Sequence, residues 1–179
     1  MLSNRTMTIT LGVSLVLDCT ATVRAQQDHA TPQEVVQKVR QASQAIAAQH
    51  ETALATYRSK NDTAVWKDSY VFVLSCPDGG VASVAANPVR PELKGKPLAQ
   101  VVTYGPKPGE QLAAEFCAQG RKPQGGWLEY NFPRAGATQP ERKVSYMLAV
   151  QGTPYEVGAG VYDATAKIDD LDKLSGGQP

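Results

Sequence analysis

Residues 126–162 read GWLEYNFPRAGATQPERKVSYMLAVQGTPYEVGAGVY, and this segment fixes the fold class. It contains three runs rich in aromatic and β-branched residues, at 126–132, 142–150 and 155–162, with loops between them that contain Pro and Gly. Such runs with hairpin-sized connections are typical of consecutive antiparallel strands. The segment therefore predicts three neighbouring strands of one antiparallel sheet.

Two more strands are predicted upstream of this segment. Residues 70–74 read YVFVL and residues 81–86 read VASVAA, and the turn signal Pro77-Asp78-Gly79-Gly80 lies between them. Asn87-Pro88 ends the second strand, because proline cannot donate to a sheet ladder. The sequence thus predicts a hairpin that brings the sheet to five strands.

A long amphipathic helix is predicted before the strands. Thr31-Pro32-Gln33-Glu34 combines a capping hydroxyl, proline at the first helical position and a Glu three residues after the cap. The pattern that follows predicts one helix of about 27 residues that ends near Lys60 and Asn61. It places His50 on or beside the apolar stripe as a structural histidine. The stripe consists of Val35, Val39, Ala42, Ile46, Ala53 and Tyr57.

The region between the hairpin and the last three strands is a proline-spaced connector. It includes a short predicted helix over 110–119 that ends at Gly120. The element order predicts an α+β fold, with the long helix on one face of a five-stranded antiparallel sheet and the connector on the other. A sheet covered by an irregular connector favours a small-molecule cavity on that face.

The two ends of the chain are interpreted as lying outside the domain. Arg5, the apolar run at 7–17 and a Val23-Arg24-Ala25 cleavage site predict a signal peptide over 1–25, and hence a periplasmic or secreted protein. The folded domain is placed at 31–163. Residues 164–179 are expected to form a polar tail with a helical turn at 168–174.

The charge and the cysteines narrow the class of protein. The 18 Lys and Arg against 17 Asp and Glu give a net charge of +1, which excludes a basic nucleic-acid surface. Loss of Cys19 with the signal would leave Cys76 and Cys117, an even pair in an oxidising compartment. A disulfide between them is expected, with two separate buried thiols as the alternative.

No motif for catalysis stands out in the sequence. Both histidines, His29 and His50, lie in the N-terminal part, and there is no nucleophile elbow or Gly-rich phosphate loop. We therefore expect no enzymatic activity, no cofactor and no metal site. A third class stays open, in which the long helix mediates dimer contacts in a structural or assembly protein.

An ordered set of short motifs resembles a single Cache domain of the sCache_2 type, in a standalone exported form. The set, which spans about Thr31 to Asp163, comprises Tyr70-Val71-Phe72-Val73, Asn87-Pro88, Pro91-Glu92-Leu93-Lys94-Gly95-Lys96, Gly126-Trp127-Leu128-Glu129-Tyr130, Lys143-Val144-Ser145-Tyr146 and Gly158-Ala159-Gly160-Val161-Tyr162. The resemblance implies a PAS-like, extracytoplasmic ligand-binding fold. Related forms with cysteines in the first hairpin turn and in the connector helix also support the pairing of Cys76 with Cys117.

The resemblance also implies a function and a site. Such domains sense small metabolites, often carboxylates, and this chain would signal through a separate partner such as a membrane-bound sensor or transporter; a homodimer is also considered. Asn87 stands where many relatives have His, which puts the ligand class in doubt. Because Lys143 and Ser145 share one strand face, they are expected to line the pocket. The alternation does not decide whether the aromatic residues are walls or core. The expected ligand-binding set is Asn87, Tyr130, Phe132, Lys143, Ser145 and Tyr146.

Overall fold

The computed structural model describes residues 28–176, and these form a helical layer, a central sheet and a covering connector. The predicted signal peptide at 1–25, with Cys19, lies outside the described residues. The helices are α1 (Pro32–Gln49), α2 (Glu51–Thr56), α3 (Leu98–Val101), α4 (Gly109–Gly120) and α5 (Ile168–Gly176), with a 3₁₀ turn at Pro91–Leu93. The strands are β1 (Val65–Trp66), β2 (Ser69–Tyr70), β3 (Phe72–Ser75), β4 (Ser83–Ala86), β5 (Gly126–Pro133), β6 (Pro140–Ala149) and β7 (Tyr155–Val161).

The main sheet has five antiparallel strands in the order β4-β3-β7-β6-β5. This confirms the predicted α+β class and the five-stranded antiparallel sheet. The sequence did not indicate that β7, the last strand, inserts between β3 and β6 and so joins the hairpin to the other strands. The short β1 and β2 form a separate two-stranded ribbon.

The predicted helix start is confirmed, and the predicted length is wrong. Thr31 accepts from the Glu34 N–H, and Glu34 accepts from the Thr31 N–H. The helix ends at Gln49, because His50 adopts a left-handed φ of 48° before α2 begins. A continuous helix would carry the apolar stripe from Ile46 to His50, one turn later. The chain instead exposes the imidazole, so His50 is not a core histidine.

Each face of the sheet carries its own core. The helix-side face packs against α1, and its sheet residues include Val73, Ala86, Trp127, Val144, Tyr146, Val157, Ala159 and Val161. The opposite face packs against the connector and α4, and its sheet residues include Phe72, Leu74, Val84, Leu128, Tyr130, Phe132 and Met147. The predicted division of the two faces between the long helix and the connector is therefore present.

The last segment differs from the predicted tail. Residues 168–176 form α5, whose Leu171 is buried in the helix-side core and whose Ser175 carbonyl accepts from Arg40 on α1. The predicted helical turn extends into a helix that packs on the domain. No helix within residues 28–176 is long and apolar enough to cross a bilayer.

The Cys76–Cys117 disulfide is present and ties β3 to α4, with the two Cα atoms 5.8 Å apart. Cys76 directly follows β3, and Cys117 lies in the last turn of α4. The two cysteines are 41 positions apart in the sequence, and the loop that they close contains β4 and most of the connector. The disulfide therefore restrains the layer that covers the connector-side face, with a loop-entropy contribution of roughly 4 kcal/mol at best.

Two glycines of β7 make room on the connector-side face. A Cβ atom at Gly160 would lie 2.2 Å from the Ser145 Oγ and 2.3 Å from the Val144 carbonyl oxygen. At Gly158 it would lie 2.4 Å from both Met147 and Phe72. The side chains of β6 and β3 therefore fold across the middle of β7, and this packing accounts for both glycines within a strand.

Replacement of Gly160 by alanine tests this packing. We expect Gly160→Ala to lower the free energy of unfolding by about 1–3 kcal/mol, because the new methyl group meets backbone atoms that cannot move aside. Gly176→Ala is the control, since a Cβ there meets nothing within 4 Å. Urea denaturation of both variants and the parent measures the difference. Equal stability of all three would contradict the described packing.

Candidate functional site

A buried lysine lies at the centre of the connector-side face. Lys143 stands in the middle of β6, directly opposite Tyr130 on β5, and is 1% exposed. Its Nζ has no hydrogen-bond partner among residues 28–176. Taking an ammonium group out of water costs several kcal/mol unless an opposite charge or strong acceptors compensate for the lost hydration. A buried, unpaired cation is therefore the most unusual group in this fold.

Four aromatic rings surround the Lys143 ammonium. The Nζ lies 4.1 Å from the centre of the Tyr70 ring and 5.1 Å from that of Tyr162. The rings of Phe72 and Phe132 are at 5.5 and 5.9 Å. A desolvated cation–π contact is worth about 2 kcal/mol at short range and less at longer distances. The rings thus offset part of the desolvation cost and supply no negative charge.

An apolar cavity adjoins this aromatic cage, which we define as Tyr70, Phe72, Phe132 and Tyr162 around Lys143. The cavity has a volume of about 30 Å³. Its walls come from β3, β4, β5, the connector and α4, and are formed by Tyr70, Phe72, Leu74, Val84, Asn87, Leu93, Leu98, Val101, Val102, Phe116, Tyr130 and Phe132. Three cage rings, Tyr70, Phe72 and Phe132, are shared with the cavity, and Lys143 is outside its lining. A hollow lies under the connector as predicted, but it is smaller than the predicted small-molecule cavity, because about 30 Å³ holds only one or two water-sized molecules.

Polar groups at the site are few. The Tyr130 hydroxyl and the Ser145 Oγ are 3.1 Å apart and share a hydrogen bond in the buried face. Burial, together with the neighbouring Tyr70, raises the pKa of Tyr130, so its hydroxyl keeps its proton and can donate. Burial likewise raises the pKa of Tyr162. These side chains are neutral at physiological pH and leave Lys143 without a counter-charge.

Asn87 reaches the cavity from the connector. Its Oδ1 accepts from the N–H groups of Val89 and Arg90 and so shapes the first turn after β4. Because the oxygen is used in this turn, the amide nitrogen supplies the donors that can serve a ligand. Asn87 therefore has a structural role in the connector, and it also carries two N–H donors at the cavity wall.

The structure brings five of the six predicted site residues together. Lys143, Ser145, Tyr130, Phe132 and Asn87 all lie on the connector side of the sheet. Tyr146 points to the opposite face, where it packs on Trp127 and its hydroxyl donates to the Gln124 carbonyl. Neighbouring residues of a strand point to opposite faces, so Tyr146 cannot share a pocket with Ser145. This corrects the prediction for Tyr146.

Three cage residues were missed by sequence reasoning. Tyr70 and Phe72 alternate on one side of their segment, and Tyr162 follows β7 across from Lys143. The alternation of Tyr70 and Phe72 was readable from the sequence. Their proximity to Lys143 depends on the insertion of β7 between β3 and β6, which local patterns do not contain.

One group of metal-ligating side chains occurs among the described residues. Cys76, Cys117 and Glu156 place one ligand atom each within 4.8 Å of one another. The two sulfurs are joined in the disulfide and are not free thiolates. None of these three residues lines the cavity beside Lys143.

Comparisons with known proteins agree with this architecture. A family model described as "Cache domain" matches residues 50–167. A solved structure described as "Periplasmic sensor domain of chemotaxis protein" is 23% identical, with a TM-score of 0.56 over 80% of this chain and 99% of that chain. Another, described as "Structural basis for carboxylic acid recognition by a Cache chemosensory domain", is 18% identical, with a TM-score of 0.51 over 82% of this chain and 99% of that one. A solved methyl-accepting chemotaxis protein from Vibrio parahaemolyticus is 18% identical, with a TM-score of 0.55 over 84% of this chain and 94% of that chain.

Replacement of the buried cation by an apolar side chain of similar length tests its cost. We expect Lys143→Met to raise the free energy of unfolding by about 1 kcal/mol or more in the absence of any added ligand, because removal of an unpaired buried charge outweighs the lost cation–π contacts. Urea denaturation of both proteins in carboxylate-free buffer measures this change. A fall in stability would mean that the rings alone satisfy the ammonium.

Proposed function

This chain belongs to the Cache domain family, and from that premise we propose that it is an extracytoplasmic sensing domain that binds a small carboxylate through Lys143. The observation that carries the proposal is the buried Lys143 ammonium, which has no partner among the described residues. A fold that keeps such a charge at a free-energy cost can recover that cost when an anion binds next to it. The solved relative whose description names carboxylic acid recognition has the same fold and is consistent with this ligand class.

The size and charge of the site favour a short monocarboxylate. A single unpaired cation matches a single carboxylate, and a second anionic group would lie against apolar walls with no counter-charge. The cavity of about 30 Å³ holds one or two water-sized molecules, so even after the cage rings move it favours the shortest carbon chains. The walls around it, which include Leu74, Leu98 and Phe116, suit methyl or methylene groups.

Binding requires movement of the cage rings. Tyr70, Phe72 and Phe132 contact the ammonium on one side and the cavity on the other. In the proposed bound state, these rings shift and open the cavity toward the Lys143 Nζ. The ligand carboxylate then contacts Nζ in place of one aromatic ring. In this proposal the Tyr130 and Ser145 hydroxyls and the Asn87 amide donate to the second carboxylate oxygen.

The location and the partner are part of the proposal. The Cys76–Cys117 disulfide fits an oxidising compartment. The structural relatives include domains described as periplasmic and chemotactic. We propose that the chain acts outside the cytoplasm and passes its ligand state to a membrane-bound sensor or transporter.

Dimerisation through the long helix as the main function has no supporting observation. The apolar stripe of α1, Val35, Val39, Ala42 and Ile46, is buried in the chain's own core. The break at His50 also shortens the helix that such pairing would use. A homodimer stays a prediction that the structure leaves open.

A ligand titration tests the site. We expect straight-chain monocarboxylates of short length to raise the thermal unfolding temperature of the full chain, with a stabilisation of about 2.7 kcal/mol at a hundredfold excess over Kd. The matched primary amides should have no effect, since they lack the charge. Differential scanning calorimetry with acids of two to six carbons measures the response, which should weaken as the chain outgrows the cavity.

Two lysine variants assign the response to the site. Lys143→Met should abolish the carboxylate effect, and Lys60→Met, which removes an exposed lysine, should keep it. An undiminished response in Lys143→Met would place the ligand elsewhere. The absence of a response in the parent protein to every acid would argue against carboxylate sensing.

Cell fractionation tests the proposed location. In a Gram-negative host the full chain with a C-terminal tag should be found in the periplasmic fraction, with the mass expected after cleavage behind Ala25. Intact-protein mass spectrometry identifies the cleavage position. An uncleaved chain retained in the cytoplasmic fraction would contradict the export proposal.

A further inference from the structure

A second unusual group, independent of the Lys143 site, lies beside the disulfide. Glu156 stands on β7 opposite Leu74 on β3, and its side chain is 3% exposed. One carboxylate oxygen and the sulfurs of Cys76 and Cys117 all lie within 4.8 Å of one another. The carboxyl group packs so closely on the end of α4 that a Cβ at Gly120 would overlap it. The fold thus holds an acid within 4.8 Å of both disulfide sulfurs.

Glu156 has little compensation for its burial. Its Oε2 has no hydrogen-bond partner within residues 28–176. The nearest cation there is Arg121, whose Nε is 3.9 Å from the Glu156 Oε1. Arg121 is half-exposed, and its guanidinium also binds the Asp78 carboxylate and the Cys76 carbonyl. The neighbours across the sheet, Leu74 and Ala149, carry no charge. Because the charge of the ionised form is poorly compensated, the protonated form of the Glu156 carboxyl group is favoured more than in water.

The disulfide borders a groove, although Cys76 and Cys117 are only 6% and 8% exposed. Both cysteines line a surface cavity of about 420 Å³ together with Arg121. Most of its other walls are small side chains, from Gly79, Gly80, Ala82, Ala99, Ala113, Ala114 and Ala118. Small side chains narrow this groove little, whereas Glu156 is absent from its lining and 3% exposed.

We propose that Cys76–Cys117 is a thiol-reactive, reversible disulfide in which Glu156 supplies the proton to the departing sulfur. The co-reactant is a dithiol. Its thiolate attacks one cysteine sulfur, the Cys76–Cys117 bond breaks, and a mixed disulfide forms. The electron pair goes to the other cysteine sulfur, which takes the proton from the neutral Glu156 carboxyl group. The second thiol of the reagent then closes on the mixed disulfide, and this releases an oxidised reagent and two protein thiols.

Either sulfur can serve as the leaving group in this proposal, because both lie within 4.8 Å of the carboxylate oxygen, a separation that one bridging water can span. In the reverse reaction, ionised Glu156 accepts the proton from the attacking thiol. Burial raises the pKa of Glu156 to about 7, against the lowering effect of Arg121. Neutral Glu156 therefore predominates below pH 7, where a proton donor is most useful to a departing thiolate.

The pH profile of reduction tests the proposal. The full chain with Cys19→Ser is treated with dithiothreitol under native conditions, and free thiols are counted by maleimide labelling and mass spectrometry. The rate constant is expressed per dithiothreitol thiolate, which removes the ionisation of the reagent itself. We expect this constant to fall about thirtyfold between pH 6 and 8.5, the ratio of protonated fractions for a group with a pKa of about 7.

Matched variants separate proton transfer from other effects. Glu156→Gln should give a low, flat profile, whereas Glu110→Gln, which removes an exposed carboxylate from the same groove, should keep the fall. A flat profile in the parent would overturn the proposal, whether or not Glu156→Gln folds. So would a fall that disappears in high salt, since salt screens the repulsion of an incoming thiolate more than a buried proton transfer.

The route of reduction provides an independent check. Reaction of the native protein through the groove should be nearly insensitive to low urea concentrations. A rate that rises steeply with urea and equals the rate of global unfolding would show that the disulfide is shielded in the native fold, and would also overturn the proposal. None of these results depends on whether Lys143 binds a carboxylate.

Discussion

The uncompensated charge of Lys143 is the constraint around which the connector side of this domain is organised. An ammonium group on the central part of a sheet needs either water or an anion, and the fold gives it aromatic faces instead. The cation–π contacts offset only part of the cost of burying the charge. The proposed ligand would supply the missing negative charge.

Two glycines, the connector and the disulfide shape the surroundings of Lys143. Gly158 and Gly160 leave space above β7 so that Phe72 and Ser145 can cross it. Asn87 shapes the turn that starts the connector, and the connector supplies the apolar roof of the cavity. The disulfide ties α4, which carries Phe116 into the cavity wall, to the end of β3. A change at Cys117 is therefore only one residue from the ligand cavity, so the two proposed sites are physically adjacent along α4.

Local patterns predicted the elements of this fold better than their arrangement. The capping box at Thr31, the five strands and the α4 helix follow from side-chain periodicity and turn chemistry, and the structure confirms them. The break at His50 was missed because the helical period continues past it. Lys143 and Ser145 could be placed on one face by alternation. The rings of Tyr70 and Tyr162 and the acid at Glu156 could not be connected to their partners, because those contacts depend on strand order.

A crystal structure of the protein grown with a short monocarboxylate such as propionate tests the central claim most directly. The account predicts one carboxylate oxygen at about 2.7–2.9 Å from the Lys143 Nζ, with the Tyr70, Phe72 or Phe132 ring displaced to admit it. A carboxylate bound elsewhere, with Nζ still enclosed by four rings and without an anionic neighbour, would contradict it.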